Sequence, residues 1–522
     1  MGTPVPTSRP TPGDKEPTVR PWRDHLEPDD PLVAGDRPGL SEQVRRGTLL
    51  HAWSSRWATE PEALLWHQGG RWWTAGEFDE ATRRAAGRLR AAGLEPGQRL
   101  VWSTDSSVDA LVAHVGALRA GLVVVPANTA YSARELAHIV RDVRASAAVV
   151  GRAEQAEWVR EAASGPVVGT GPGLDLEDGD PGPLDRSGPD DPALICFTSG
   201  TTGAPKGAVL RHRNLLAGVA SVTRAWRMTP EDRLVHCLPI FHAHGLVVGA
   251  YGTMSAGGSA VLLPGFTPGA VAEAVRDHRA SLFFGVPTMY HRLVASGTAA
   301  ALAPLRLCVS GSAPLPADLH ASASAAIGSV VLERYGMTET LMNTSNPYTG
   351  ERRPGTVGFA LPGVEVAFGA TGEVLVRGPN VFDGYFERDA ANAEAFLDLG
   401  DGGSPWFATG DLGEDVDGYL VIRGRSKELI ISGGFNVYPT EVEEVLSGCP
   451  GVAEVAVTGT PSDEWGEAVT AWVVPDGATP TVADLRAHCS GLLAPYKQPR
   501  LVRTVDALPR NSMGKVIRSQ LG

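Results

Sequence analysis

The sequence has few cysteines, and their spacing assigns them no shared task. Five cysteines are scattered over 522 residues, and no C-x-x-C pair occurs. An odd, widely spaced set forms neither a disulfide framework nor a zinc site. We therefore expect these thiols to fill the core of a protein in a reducing compartment, and we predict a cytoplasmic location.

Long apolar runs and an excess of basic charge are also absent. No apolar run reaches the roughly 20 residues of a membrane-spanning helix, and residues 1–40 lack the apolar segment of a secretory signal. The formal net charge is −13, so nucleic acid and anionic membranes would be repelled. We expect neither as a partner, and we predict that the proline-rich residues 1–40 form a disordered leader.

Short apolar runs alternate with helical patterns over most of the chain. Leu100-Val-Trp-Ser103 precedes a helical pattern at 108–119, and Ser132 with Glu135 forms a capping box that opens another helix. This alternation predicts an α/β fold with parallel sheets covered by helices. Further strands are predicted at 193–197, 234–238, 281–284, 305–309 and 330–332.

The pattern changes twice towards the C-terminus. After about residue 360 it becomes β-rich, and after residue 425 a new α/β alternation begins, with Thr440 and Glu443 as a capping box. We therefore predict a large N-terminal domain at 41–425, built of parallel α/β sheets plus a β-rich subdomain. A small α+β domain would follow at 426–522.

A loop rich in glycine and hydroxyl groups follows the predicted strand at 193–197. Its sequence is TSGTTGAPKG, at residues 198–207. Glycines let backbone N–H groups approach an anion, hydroxyls add donors and the lysine adds charge, so the loop suits a polyphosphate. Its spacing differs from that of a Walker loop. The candidate phosphate-binding residues are Thr198, Ser199, Gly200, Thr201, Thr202, Gly203 and Lys206.

This loop and seven later motifs resemble the adenylate-forming superfamily of acyl-CoA synthetases, adenylation domains and luciferases. The motifs occur in the family's order and cover the chain from about residue 45 to its end. They are IFHAHG at 240–245, SGSAPL at 310–315, RYGMTET at 334–340, TGDL at 409–412, RGRSKELI at 423–430, GGFN at 433–436 and PRNSMGK at 509–515. The resemblance implies an AMP-forming acid–thiol ligase that uses ATP, Mg²⁺ and coenzyme A.

The resemblance also implies a nucleotide site. Tyr335 would stack on adenine, Asp411 would accept the ribose hydroxyls, and Glu339 with Thr202 would hold Mg²⁺. Lys515 would bridge the substrate carboxylate and the α-phosphate, and its charge would stabilise the transition state. The other expected ATP-binding residues are Gly311, Ser312, Ala313, Glu333, Arg334, Gly336, Met337, Thr338 and Arg425.

The remaining implied roles concern motion and chemistry. Lys427 would be the hinge about which the C-terminal domain swings, and Gly433 and Gly434 would face the incoming CoA thiol. The expected catalytic residues are Lys515, Glu339, His242 and Thr198. A metal site at His242 and His244 is disfavoured, because no further ligand cluster follows them.

The stretches at 284–292 and 333–344 are similar to malonyl-CoA and methylmalonyl-CoA synthetases. In that resemblance His242, Arg292, Ser310 and Met342 contact the substrate, and Arg292 pairs with its far carboxylate. A solvated surface arginine is the alternative reading of Arg292. Other small, medium-chain or aromatic acids remain open, as do a separate carrier protein or an amine as acceptor. An inactive relative is disfavoured, because the chemical residues are present.

Replacement of Arg292 by alanine tests the proposed substrate. We expect Arg292→Ala to weaken activation of malonate strongly and to spare a monocarboxylate such as butyrate, because only malonate has a second charge to pair. Steady-state kinetics with each acid measure the effect, and unchanged malonate activity would reject the assignment.

Overall fold

The computed structural model describes residues 47–165, 167–198, 205–433, 435–462, 464–511 and 514–521. The predicted leader at 1–40, most of the predicted phosphate loop (199–204) and Gly434 lie outside these residues. No helix in the described ranges has the length and apolar character needed to cross a bilayer.

The described strands form four sheets. In chain order they are β1 (Leu64–Gln68), β2 (Arg71–Thr74), β3 (Arg99–Ser103), β4 (Val123–Pro126), β5 (Ala147–Val150), β6 (Val168–Thr170), β7 (Pro192–Thr198), β8 (Lys206–Arg211), β9 (Arg233–His236), β10 (Ser259–Leu262), β11 (Leu282–Gly285), β12 (Leu307–Ser310), β13 (Leu332–Tyr335), β14 (Thr344–Ser345), β15 (Phe359–Ala360), β16 (Glu365–Phe368), β17 (Glu373–Arg377), β18 (Phe396–Leu397), β19 (Trp406–Val416), β20 (Tyr419–Arg425), β21 (Ile430–Ser432), β22 (Phe435–Val437), β23 (Val452–Ser462), β24 (Gly466–Pro475) and β25 (Leu501–Thr504).

Most of the helices lie between consecutive strands. They are α1 (Leu49–Thr59), α2 (Ala75–Ala91), α3 (Val108–Arg119), α4 (Ala133–Asp142), α5 (Ala153–Ala162), α6 (His212–Ala225), α7 (Gly252–Ala256), α8 (Pro268–His278), α9 (Pro287–Ala295), α10 (Ala317–Ile327), α11 (Asp389–Ala395), α12 (Pro439–Ser447) and α13 (Val482–Cys489). A π-helix spans His244–Tyr251, and 3₁₀ turns span Ala299–Leu302, Ser426–Glu428 and Arg518–Gln520.

Two largely parallel sheets form the N-terminal part. One has the order β15-β14-β13-β12-β11-β9-β10-β1-β2, and the other the order β6-β5-β3-β4-β7-β8. The pairs from β13 through β1 in the first, and from β6 through β7 in the second, are parallel. Ligands in such sheets bind beyond the carboxyl ends of the strands. The loops after β12 and β13 therefore lie where a site is expected.

The β-rich and C-terminal parts have sheets of their own. The β-rich sheet has the order β16-β17-β19-β18, with β20 on β19, and the C-terminal sheet has the order β22-β21-β24-β23, with β25 on β24. The C-terminal sheet encloses a separate core that includes Val442, Leu446, Val469 and Leu485. The predicted α/β class with a β-rich subdomain and a terminal α+β part is confirmed.

Of the two predicted capping boxes, one is confirmed and the other is wrong. Ser132 and Glu135 form the predicted capping box before α4. The predicted box at Thr440 and Glu443 is wrong, because Pro439 already occupies the first turn of α12 and Tyr438 is its N-cap residue. The Thr440 hydroxyl donates instead to the carbonyl of Arg423, and so ties α12 to the end of β20.

Candidate active site

Asp411 is the point where three parts of the chain meet. The hydroxyl of Tyr335, at the end of β13, donates to Asp411 Oδ2 at 2.6 Å. Nε of Arg425 lies 2.9 Å from Asp411 Oδ1, because Asp411 and Arg425 are paired residues of β19 and β20. The Asp411 carboxylate is 5% exposed, so it is fixed between an aromatic ring and a guanidinium.

Lys515, in the C-terminal tail, lies within range of the charges of Asp411 and Arg425. Burial and the charge of Arg425 lower its pKa, while Asp411 and Glu428 oppose that shift. The tail loop is held by hydrogen bonds between Asn511 and Lys515 in both directions at 2.9 Å. Gly514 has φ = 76°, and a Cβ there would lie 2.8 Å from Thr288 Oγ1. The loop therefore packs closely on the first turn of α9, and glycine is required at 514.

The tail is also clamped by ion pairs. Arg518 pairs with Glu443 of α12 at 2.7 Å and with Glu428 at 2.8 Å. Arg510 pairs with Glu454 at 2.6 Å and donates to the carbonyl of Gly514 at 2.7 Å. These contacts restrict the loop that carries Lys515.

Glu339 is a buried carboxylate with few donors. Tyr385 donates to its Oε1 at 3.0 Å, and Lys206 lies 4.6 Å from the centre of the Tyr385 ring. Burial raises the pKa of Glu339, whereas its own backbone N–H and the hydroxyls of Tyr385 and Thr198 lower it. Thr198 and Lys206 are paired residues of β7 and β8. The described ends of the predicted phosphate loop thus lie near Glu339.

Two histidines line the neighbouring part of the site. Burial lowers the pKa of His242 to about 4, which keeps the imidazole neutral near pH 7. His244, at the start of the π-helix, has Nδ1 3.1 Å from the hydroxyl of Ser312. Burial and then the charge of Arg334 lower the His244 pKa well below its ordinary value.

The backbone is strained at Ser312, which contacts His244, and at Leu341. Ser312 has φ = 71° and Leu341 has φ = 56°, a region that side chains other than glycine rarely adopt. A Cβ at Gly336 would lie 2.0 Å from the carbonyl oxygen of Leu341. Such strain costs of order 1–3 kcal/mol per residue and is concentrated at functional sites.

Further predicted residues lie at the ends of β12 and β13. Ser310 and Arg334 are buried, Met337 Sδ is 4.0 Å from the Tyr335 hydroxyl, and Ala313 and Thr338 are half-buried. Glu333 accepts from the N–H of Gly355 at 3.1 Å, and burial raises its pKa to about 7.

Met342 is buried in an apolar cluster beside the π-helix. The other members of the cluster are Gly218, Val219, Val222, Val247, Val248, Gly252 and Leu341. The gap between these residues is too small for a water molecule, so the cluster is part of the packing around the site.

Other predicted residues lie on the surface. Arg292 is exposed on α9, with its guanidinium carbon 5.0 Å from the centre of the Phe266 ring, and its role stays a prediction. Lys427 is exposed in the turn between β20 and β21. Gly433 has φ = 60° and packs on Trp465. Ser199, Gly200, Thr201, Thr202, Gly203 and Gly434 lie outside the described residues.

The sequence interpretation missed Tyr385 and Thr288. Tyr385 is 46 residues from Glu339, and Thr288 meets a loop more than two hundred residues away. No spacing rule links either pair, so only the fold brings them together.

The described ranges contain no group of three or more His, Cys, Asp or Glu side chains arranged to hold a metal ion. A single buried carboxylate nevertheless fits Mg²⁺, which takes one or two carboxylates and completes its shell with water and phosphate oxygens. Glu339 meets that requirement.

Comparisons with known proteins identify the family. Residues 51–386 match the model of the AMP-binding enzyme family, and residues 441–515 match that of the AMP-binding enzyme C-terminal domain. The chain is 37% identical over 498 residues to a feruloyl-CoA synthase of Amycolatopsis sp, covering 91% of this chain and 99% of the relative. It is 34% identical over 501 residues to a malonate–CoA ligase of Mus musculus, covering 85% of each.

A solved structure extends the similarity to three dimensions. ATP-bound MatB from Rhodopseudomonas palustris superposes with a TM-score of 0.85 at 40% identity, over 91% of this chain and 98% of that one. The similarity includes both the N-terminal part and the C-terminal part that carries Lys515. The chain therefore belongs to the AMP-binding enzyme family and is an acyl-CoA synthetase, an AMP-forming acid–CoA ligase.

Proposed function

We propose that the enzyme activates malonate, methylmalonate or a similar small acid as its acyl-adenylate and then transfers the acyl group to CoA. The observation that carries this proposal is that the tail loop packs on the N-terminal part, with Gly514 against Thr288, and brings Lys515 within range of the charges of Asp411 and Arg425. The fold itself does not require a lysine of the C-terminal tail to lie near a carboxylate of the β-rich sheet. A nucleotide bound between them would explain both residues, because each would contact it.

In this proposal the residues divide the nucleotide among them. The Tyr335 ring stacks on adenine, and Asp411 accepts hydrogen bonds from the ribose hydroxyls. Arg425 holds the Asp411 carboxylate in place. The loop at 198–207 receives the triphosphate. Lys515 supplies positive charge where the carboxylate attacks the α-phosphate, and charge placed in advance stabilises the transition state more than the ground state.

Mg²⁺ held by Glu339, with Thr202, would neutralise charge on the triphosphate. The chain's own part is to oppose the rise in the Glu339 pKa that burial causes. Tyr385 does so by donating a hydrogen bond to the carboxylate, and the nearby Thr198 also lowers this pKa. Thr198 would thus act on the catalytic centre through Glu339.

Thioester formation would require a second arrangement of the C-terminal part. The turn at Ser426–Glu428, with the exposed Lys427, is the proposed hinge, and Gly433 and Gly434 are the proposed CoA-facing residues. Lys515 would leave the site as that face enters. A cytoplasmic location stays a prediction.

One finding supports a small acid: a malonate–CoA ligase is among the relatives. The similarity to a feruloyl-CoA synthase favours an aromatic acid as the second candidate. The two substrates differ in size and charge, so direct assay separates them.

A panel of acids with ATP, Mg²⁺ and CoA tests the proposed substrate. The panel contains malonate, methylmalonate, succinate, acetate, medium-chain acids and ferulate, and mass spectrometry detects each thioester. We expect malonyl- or methylmalonyl-CoA to form fastest. Preferential formation of feruloyl-CoA would overturn the choice of acid while leaving the ligase chemistry intact.

Replacement of Lys515 separates the two half-reactions. We expect Lys515→Ala to slow adenylation by roughly 10²–10³-fold, the cost of losing one group that stabilises the transition state. Thioester formation from pre-made acyl-adenylate should be largely spared. Rapid-quench assays of each step measure this, with Lys515→Arg as a variant that keeps the charge. Equal loss in both steps would refute the role of Lys515.

Replacement of Tyr385 tests the role of Glu339 through pH. Tyr385→Phe removes a donor that lowers the Glu339 pKa, so that pKa should rise further. Protonated Glu339 binds metal poorly, and the acidic limb of the adenylation rate should therefore move to higher pH. We expect about a tenfold loss at neutral pH, as for a lost charged hydrogen bond, with recovery at higher pH or Mg²⁺ concentration. An unmoved pH profile, as expected for the control Tyr131→Phe, would count against this role.

A further inference from the structure

His236 is a buried histidine at the end of β9, outside the residues assigned to the nucleotide or the acid. It is 2% exposed, and its Nε2 lies 2.8 Å from the carbonyl oxygen of Gly245. Burial lowers its pKa to about 4, so the imidazole is neutral near pH 7. Because a carbonyl only accepts, the proton of the ring is assigned to Nε2. His236 therefore donates a hydrogen bond to the first turn of the π-helix.

The accepting carbonyl belongs to the peptide unit that joins Gly245 to Leu246. The N–H of the same unit donates to the carbonyl of His242 at 2.8 Å. The carbonyl and the N–H of a planar peptide unit rotate together. A bond that fixes the Gly245 carbonyl thus also fixes the N–H that holds His242. Two hydrogen bonds in series therefore connect His236 to His242, one of the residues expected to contact the acid.

Two glycines make room for these contacts. A Cβ at Gly249 would lie 2.7 Å from Nε2 of His236. A Cβ at Gly245 would lie 2.2 Å from the carbonyl oxygen of Pro239, and that carbonyl accepts from the N–H of His242 at 3.3 Å. The turn before the π-helix is therefore packed closely, and the imidazole fits because position 249 has no side chain.

The π-helix is held by buried side chains at both ends. Such widened helices are rare and occur frequently at functional sites. This one begins at His244, two residues after His242, and ends at Tyr251. The Tyr251 hydroxyl is hydrogen-bonded to Nε2 of the buried His114. His236 thus secures the end of the helix that lies next to the site.

Resting on the proposed function, we propose that His236 is a positioning residue for the substrate acid. It would fix the peptide unit between Gly245 and Leu246 and, through it, the place of His242. His236 would not bind the acid itself, because its only N–H is used in the bond to Gly245. Its Nδ1 offers a lone pair, which a carboxylate cannot use.

The kinetics of four variants test this role. His236→Leu removes the donor, whereas His236→Gln keeps an N–H on a side chain of similar length. Gly249→Ala adds a Cβ that displaces the imidazole. His488→Leu is the matched control, because His488 also donates from Nε2 to a backbone carbonyl, that of Val445 at 3.0 Å in the C-terminal part. Exchange between pyrophosphate and ATP gives the KM for ATP, and kcat/KM for the acid that the wild type activates fastest.

We expect His236→Leu to lower kcat/KM for that acid by about tenfold, as for a buried hydrogen bond that loses one partner. The KM for ATP should be unchanged, because the proposed nucleotide contacts at Tyr335 and Asp411 do not involve the π-helix. His236→Gln should recover most of the loss, since an amide also donates. Gly249→Ala should show the same selective loss, and His488→Leu should keep kcat/KM within about threefold of the wild-type value.

Other outcomes would overturn the inference. Unchanged kcat/KM in His236→Leu, with a lowered Tm, would make His236 a structural residue only. An equal rise in KM for the acid and for ATP would indicate general loosening of the site. No recovery in His236→Gln would show that the hydrogen bond is not the cause. If His236→Leu does not fold, Gly249→Ala decides by the same criteria.

The same assays separate this inference from the proposed function. A wild type that activates an acid, with variants that lack the selective loss, refutes the role of His236 alone. A wild type that activates no acid refutes the proposed function, and the role of His236 with it.

Discussion

The contact on which the site depends is the one that Asp411 makes with Tyr335 and Arg425. Tyr335 ends a strand of the large parallel sheet, and Asp411 and Arg425 belong to the β-rich sheet that leads to the C-terminal part. One buried carboxylate thus connects two sheets. Lys515 of the tail lies within range of the same charges: burial and the charge of Arg425 lower its pKa, and Asp411 opposes that shift.

The charges around Asp411 favour an anionic ligand. The Asp411 carboxylate lies near the cations Arg425 and Lys515, so one negative charge is opposed by two positive charges. A nucleotide that carries phosphates suits such a cluster, because its negative charge offsets the excess of positive charge.

Sequence patterns predicted the helices and strands better than the contacts between them. The helix at Val108–Arg119 was predicted to the residue, since its cap and apolar stripe are local. The strand predicted at 330–332 lies instead at Leu332–Tyr335. Glu333 and Arg334 are charged and so gave no signal of a buried strand, but pairing with β12 places them inside the fold. The motif residues around Asp411 were identified by resemblance alone.

What the sequence could not supply were contacts between distant segments. No sequence motif marks Tyr385 or Thr288. Their contacts at the site, with Glu339 and with the loop of Gly514, form only when the chain folds.

The most direct measurement of the central claim is isotope exchange between pyrophosphate and ATP by the purified wild-type enzyme. Exchange reports reversible formation of an acyl-adenylate before any thiol is involved. The account predicts exchange that requires both Mg²⁺ and a carboxylic acid, in the absence of CoA. Exchange without an acid, or none with any acid of a broad panel, would contradict the claim that Lys515 and the loop at 198–207 act on one nucleotide to activate a carboxylate.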